Sequence, residues 1–267
     1  MVSLDVASIA LRTIVNILKK RKKVTSKMSG YSASSSYFLP LISHLKNASN
    51  TSEAQVMKKY MKNNFEFYGV RAPQCKDFLK QHIENQGLPQ DMSQLSHIVH
   101  YAWECPHREL QYIGMYIMDK CQNIWQSGDQ LKSLFEFMIK HKSWWDTVDF
   151  ISSSLVNYWW KMDPELLDKS ITPEWNKSDN FWLNRTSIIY QLRRKALTNE
   201  RILSQHIIPH SHSNEFFVQK AIGWALREYA KINSKWVLDF VATHQLKPLS
   251  KREALKQIKA GKIKRPW

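Results

Sequence analysis

One stretch of the chain carries an acid that could do chemistry: Ser143-Trp144-Trp145-Asp146-Thr147-Val148-Asp149. Trp144, Val148, Ile151, Leu155 and Trp159 recur at helical spacing and form an apolar stripe. Trp145 and Asp149, four residues apart, share a neighbouring face. A carboxylate one turn below an indole, beside a core stripe, is either a member of a buried ion pair or a reactive group. Arg185 falls inside the apolar stripe of its own helix, with Trp182, Ile189 and Leu192. A guanidinium there must be paired, because an isolated buried charge costs too much. Its partner is Asp146 or Asp149, or else a phosphate met in a groove.

A second face lies on the segment 214–231. Taking Ile222 as zero, Val218, Ala221, Ala225, Leu226 and Tyr229 lie within about 100° of it, which defines the buried stripe. Lys220, Trp224, Arg227 and Lys231 fall between about 140° and 200°, on the opposite side. That face is either a solvated surface whose Trp224 packs on a neighbouring helix, or a stacking platform flanked by phosphate contacts. His206, His210 and His212 suggest a metal cluster, but Pro209 breaks the helix that would align the first two, so they are expected as surface loop residues. Met57 and Met61 read as core filling.

Other chemistries are excluded by what is missing. The seven glycines are scattered, the closest being Gly114 and Gly128, so no dinucleotide fingerprint, phosphate loop or nucleophile elbow exists. Cys75, Cys105 and Cys121 form no CxxC pair and no disulfide framework. No metal and no cofactor is therefore expected, and a reducing intracellular compartment fits. No apolar run reaches the ~18 residues of a membrane span, since Arg12 interrupts the one near the start.

The elements that must position these side chains are helices. Helical periodicity covers 37–47, 52–64, 73–85, 92–104, 107–123, 129–141, 143–160, 164–170, 180–197, 200–207, 214–231, 234–243 and 250–262. Pro73, Pro106, Pro164 and Pro248 stand where first turns would begin. Trp145, Arg185 and Trp224 recur at steps of 40 and 39 residues, each in a long helix. Two helices per step of about 40 residues is the mark of HEAT-type solenoids. The expected class is all-α, a HEAT-like helical-repeat solenoid with a concave DNA-binding groove. The net charge of +16 is concentrated at the ends, as expected where a polyanion is gripped. Residues 1–36 hold seven basic side chains, eight serines and one acid; 247–267 hold eight basic side chains and one acid. The division is thus a basic, serine-rich arm (1–36), ending in a linker from Ser32 to Ser36, and a repeat domain with a basic tail (37–267). The arm, with its Lys19-Lys20-Arg21-Lys22-Lys23 tract, reads as an organelle transit segment, a nuclear-localisation tract or a disordered basic arm.

Several segments resemble the AlkD family of alkylpurine DNA glycosylases. They are Lys142 through Asp149 (KSWWDTVD), Ser178 through Arg185 (SDNFWLNR), Glu215 through Lys231 (EFFVQKAIGWALREYAK) and Pro248 through Ala254 (PLSKREA). Tyr60-Met61-Lys62-Asn63 and Phe67 to Pro73 fit the same pattern, and the likeness spans about 37–262 in order. The resemblance implies a HEAT-like solenoid holding duplex DNA in its concave groove. By position it assigns Trp145 and Trp224 as the catalytic-site tryptophans and Asp149 as the catalytic aspartate. Arg185 and Arg227 become the arginines beside the lesion and backbone. With Lys220, Lys231, Lys251 and Arg252, they make up the expected DNA contacts.

The implied reaction is release of cationic N3- or N7-alkylated purines, 3-methyladenine and 7-methylguanine, from duplex DNA in base-excision repair. Such a purine already carries positive charge and leaves as a neutral base without a general acid. What needs stabilising is the cation developing on deoxyribose, which an aspartate can do while orienting a water toward C1′. The family grips the duplex without inserting the lesion into a base-specific pocket. The alternative is a non-catalytic binder of damaged or branched DNA on the same solenoid. A monomer with no membrane association is expected, in the cytoplasm or nucleoid of a bacterium, or the nucleus or mitochondrion of a eukaryote.

Overall fold

A computed structural model describes residues 32–262; the basic tract at Lys19–Lys23, the rest of the arm to residue 31, and residues 263–267 lie outside the described residues. Thirteen helices are found among the described residues, with no strand beyond one isolated bridge between Glu66 and His107. They form an all-α helical-repeat fold, divided into two compact units between Ile124 and Trp125.

The first unit contains α1 (32–47), α2 (Thr51–Tyr60), α3 (Ala72–Gln86), α4 (Met92–Glu104) and α5 (Arg108–Lys120). Within it α4 packs closely on α5. A side chain at Gly114 would lie 3.0 Å from the Ala102 Cβ and 3.1 Å from the Trp103 ring, so glycine sets the approach. The serine run expected as a linker is helical from residue 32, and Ser34 is buried. The segment expected to reach residue 64 stops at Tyr60, because Lys62 and Asn63 turn the chain with φ of 56° and 60°.

The second unit contains α6 (Asp129–Lys140), α7 (145–162), α8 (164–176), α9 (Phe181–Ile189), α10 (Glu200–Ile207), α11 (Phe216–Tyr229), α12 (Ser234–Thr243) and α13 (Pro248–Lys259). Polar caps start most of them. Asn180 accepts from the Trp182 and Leu183 amides, Asn199 from Ile202, Asn233 from Trp236 and Asp163 from Leu166. Pro164 and Pro248 stand in first turns, as does Pro73 in the first unit, whereas Pro106 lies ahead of α5. α9 ends at Ile189 rather than near residue 197. The Gln191 side chain accepts the Asn199 amide, and Lys195 takes a φ of 53°, which reverses the chain.

Two stretches widen into π-helix, Ile151–Val156 within α7 and Leu167–Ile171 within α8. In α7 the cause is local. The Ser152 and Ser153 hydroxyls donate to the Val148 and Asp149 carbonyls at 2.6 and 2.7 Å, competing with the backbone amides for those acceptors. A side-chain amide then fixes α9 against α8: Asn184 donates to the carbonyls of Trp175, Asn176 and Ser178, closing the end of α8. The core between α9 and α13 holds Val218, Ala221, Ile222, Ala225, Leu226 and Tyr229, the stripe expected on α11.

Candidate active site

Asp149 sits at the end of the first α-helical segment of α7 (Trp145–Phe150), one turn below Trp145, which is half-buried. Arg185, on the middle turn of α9, reaches it with a two-pronged bond: Nε donates to Oδ1 at 2.7 Å and Nη2 to Oδ2 at 2.9 Å. Its third nitrogen, Nη1, donates to the backbone carbonyl of Phe217 in the first turn of α11 at 2.5 Å. One guanidinium therefore ties α7, α9 and α11 together around a carboxylate. The Arg185 side chain is only 5% exposed and that of Asp149 18%. Burial pushes the Asp149 carboxyl up from its ordinary value, against the pull of Arg185, and Asp146 adds to the rise.

The choice left open by spacing is thus resolved toward Asp149 as the partner. Arg185, expected as a DNA contact, gives all three guanidinium nitrogens to Asp149 and the Phe217 carbonyl, which supplies its buried charge with a partner. An aromatic cluster backs the pair. Trp144 lies 5.1 Å from Phe217 and 6.1 Å from Trp182, while Trp182 and Phe217 are 4.7 Å apart, ring centroid to ring centroid.

The second expected face differs more from its reading. Lys220 and Arg227, placed opposite the buried stripe, lie against α13, where the Glu253 carboxylate accepts from both. The reason is Gly223, on the same side of α11. A Cβ there would stand 2.4 Å from the Glu253 Cβ and 2.9 Å from the Ser250 carbonyl, so α13 packs where an open surface was expected. Trp224 is half-buried: it packs against the core and keeps part of its surface exposed. Lys231 is exposed and pairs with Glu228; Lys251 and Arg252 are exposed on α13.

The family model described as "DNA alkylation repair enzyme" matches residues 41–258. The chain belongs to that family. A solved structure, titled a predicted DNA alkylation repair enzyme from Enterococcus faecalis, is 30% identical to it with a TM-score of 0.71, over 78% of this chain and 95% of that one. A comparison with curated proteins finds no match. The span matched by the repair-enzyme family encloses Trp145, Asp149, Arg185, Trp224 and Arg227 as well as the α13 residues Lys251 and Arg252.

Sequence reasoning missed the supports of the site. The Phe217 carbonyl is a backbone group that no side-chain pattern announces. Ser152 and Ser153 did carry a signal: three consecutive serines inside an apolar helix mark a place where hydroxyls capture carbonyls. The histidine expectation fails in part. His206 is buried, its Nδ1 donating to the Ser187 carbonyl at 2.9 Å, and His210 Nε2 donates to the Asn176 carbonyl at 2.9 Å; only His212 is exposed. Among the described residues no group of three side chains could hold a metal ion, and no helix is long and apolar enough to cross a membrane.

Proposed function

We propose that this repair-family chain is a monofunctional DNA glycosylase that hydrolyses the N-glycosidic bond of cationic N3- or N7-alkylated purines in duplex DNA. The observation that carries this reading is the carboxylate of Asp149, fixed by the Arg185 fork one turn below a half-buried tryptophan. Each carboxylate oxygen takes one bond from Arg185 and keeps a further acceptor position, enough to orient a water. In the reaction the C1′–N bond breaks and the purine departs with the bonding pair, which cancels its positive charge. Asp149 stabilises the cation left on the sugar and directs water to C1′, accepting its proton as the new C–O bond forms. Trp145 and Trp224 offer indole faces to the sugar and backbone, with cation–π attraction to the developing charge. Lys231, Lys251 and Arg252 contact phosphates. The protein acts as an intracellular monomer on the duplex.

The test is incubation of a methylated duplex with the protein and quantification of free 7-methylguanine and 3-methyladenine. Release by the parent chain, lowered by about 10²–10³-fold in Asp149→Asn, is the expected result. Duplex binding without release would overturn the reading in favour of a non-catalytic binder of damaged or branched DNA, which has no use for an acid facing an anionic backbone.

A further inference from the structure

A groove of about 410 Å³ runs between α11 and α13, lined by four cations, Lys220, Arg227, Lys256 and Lys262, and two acids, Glu228 and Glu253. An oxyanion already sits in it. Glu253 Oε1 accepts from Lys220 Nζ at 3.0 Å and Oε2 from Arg227 Nη1. This carboxylate is only 13% exposed, whereas Lys220 is 37% and Arg227 20% exposed. An ammonium has three donors and a guanidinium five, and each gives one here to Glu253. Both line the groove with donors to spare, beside the exposed Lys256 and Lys262. Neither of those two lysines joins an ion pair among the described contacts.

We infer that this groove seats the phosphodiester backbone of the duplex, with Lys256 and Lys262 as phosphate contacts and Glu253 as a built-in rival for Lys220 and Arg227. The inference rests on the DNA-acting reading above and names residues that reading does not assign. Gly223 lets α13 close onto α11, so the Glu253 backbone stays at the groove wall and its carboxylate, bonded to Lys220 and Arg227, remains beside an arriving phosphate. Its negative charge therefore stays beside the bound phosphate as a standing penalty on affinity. Undamaged duplex is held loosely, and the protein leaves it readily.

The experiment is salt-titrated binding of the full chain to an undamaged duplex, comparing the parent with Lys256→Gln, Lys262→Gln, Glu253→Gln and the exposed control Lys259→Gln, which does not line the groove. Each groove lysine variant should lower the slope of log K against log salt by about 0.9, while Lys259→Gln leaves it unchanged. Glu253→Gln keeps the shape and an acceptor oxygen, and should tighten binding by about five-fold, the effect of one unit charge about 4 Å away in water. Unchanged slopes for both lysine variants, or weaker binding in Glu253→Gln at an unaltered melting temperature, would overturn the inference. A parent that binds and excises while these variants behave like it leaves the glycosylase reading standing; a parent that binds no duplex removes both. Inorganic phosphate at constant ionic strength should compete no better than chloride. Displacement of duplex by about micromolar phosphate would mark a free-anion site and overturn the assignment to DNA.

Discussion

Asp149 holds its two roles in tension, as structural partner of Arg185 and as the acid available to a substrate. Asp149→Asn should lower excision by about 10²–10³-fold, the usual cost of losing one preorganised charge-stabilising group, while binding to an abasic-site duplex stays near the parent value. Because the asparagine leaves the Arg185 guanidinium short of a counter-charge, stability should also fall by about 1–3 kcal/mol. Single-turnover excision well below the melting temperature separates the two effects; parental rates in the variant would remove Asp149 from the mechanism. The same residue predicts a pH limb. Its carboxyl is pushed up by burial, and only the ionised form stabilises a cation, so excision should decline with falling pH earlier than an ordinary aspartate would dictate. A rate profile flat down to the usual aspartate range would contradict this.

At the scale of elements, the approach of α11 to α13 depends on one missing side chain. Gly223→Ala places a Cβ within 2.4 Å of the Glu253 Cβ and 2.9 Å of a backbone carbonyl. The helices must separate, at a cost of about 1–3 kcal/mol, read as a lower urea midpoint with an unchanged slope. Here the limits of reading a sequence become visible. The apolar stripe of α11 was legible because it follows the 3.6-residue period, and all six of its residues are buried in the core. The opposite face was misread because an angular plot knows nothing of a second helix, and glycine carries no hydropathy to advertise a contact. Helix ends set by side-chain capture, such as Gln191 taking the Asn199 amide, were equally silent. Asp149 and Arg185 were legible as a possible pair, since a buried guanidinium demands an acid; their geometry was not.

For the molecule as a whole, buried His206 links folding to proton concentration. Burial pushes its pKa down to about 4, whereas an unfolded histidine titrates near about 6.5. The folded chain thus binds fewer protons between those values. This contribution is complete above about pH 6.5 and is lost as pH falls toward about 4, by about 3 kcal/mol in all. Urea unfolding at neutral and acid pH should show the loss, and His206→Gln should flatten it; equal pH dependence in both proteins would shift the cause elsewhere. The basic arm is a separate matter. Since α1 is helical from residue 32 and the family match starts at 41, removing residues 1–31 should leave melting temperature and excision unchanged. A truncated chain that fails to fold would show that the repeat domain needs the arm.

The wide stretch of α7 over Ile151–Val156 also sets a phase. A π-helical stretch holds one more residue than the α-helix it replaces, and one residue is worth about 100° of rotation. Everything before it, Trp145 and Asp149 included, is therefore turned relative to the fully buried Trp159 behind it. Deleting Ser154 would let the helix relax to a regular pitch, and the buried rear half would keep its place. The front half would then swing its acid away from Arg185, leaving a folded protein with its carboxylate pointed elsewhere. The site is timed by a count of residues as much as it is built from their chemistry.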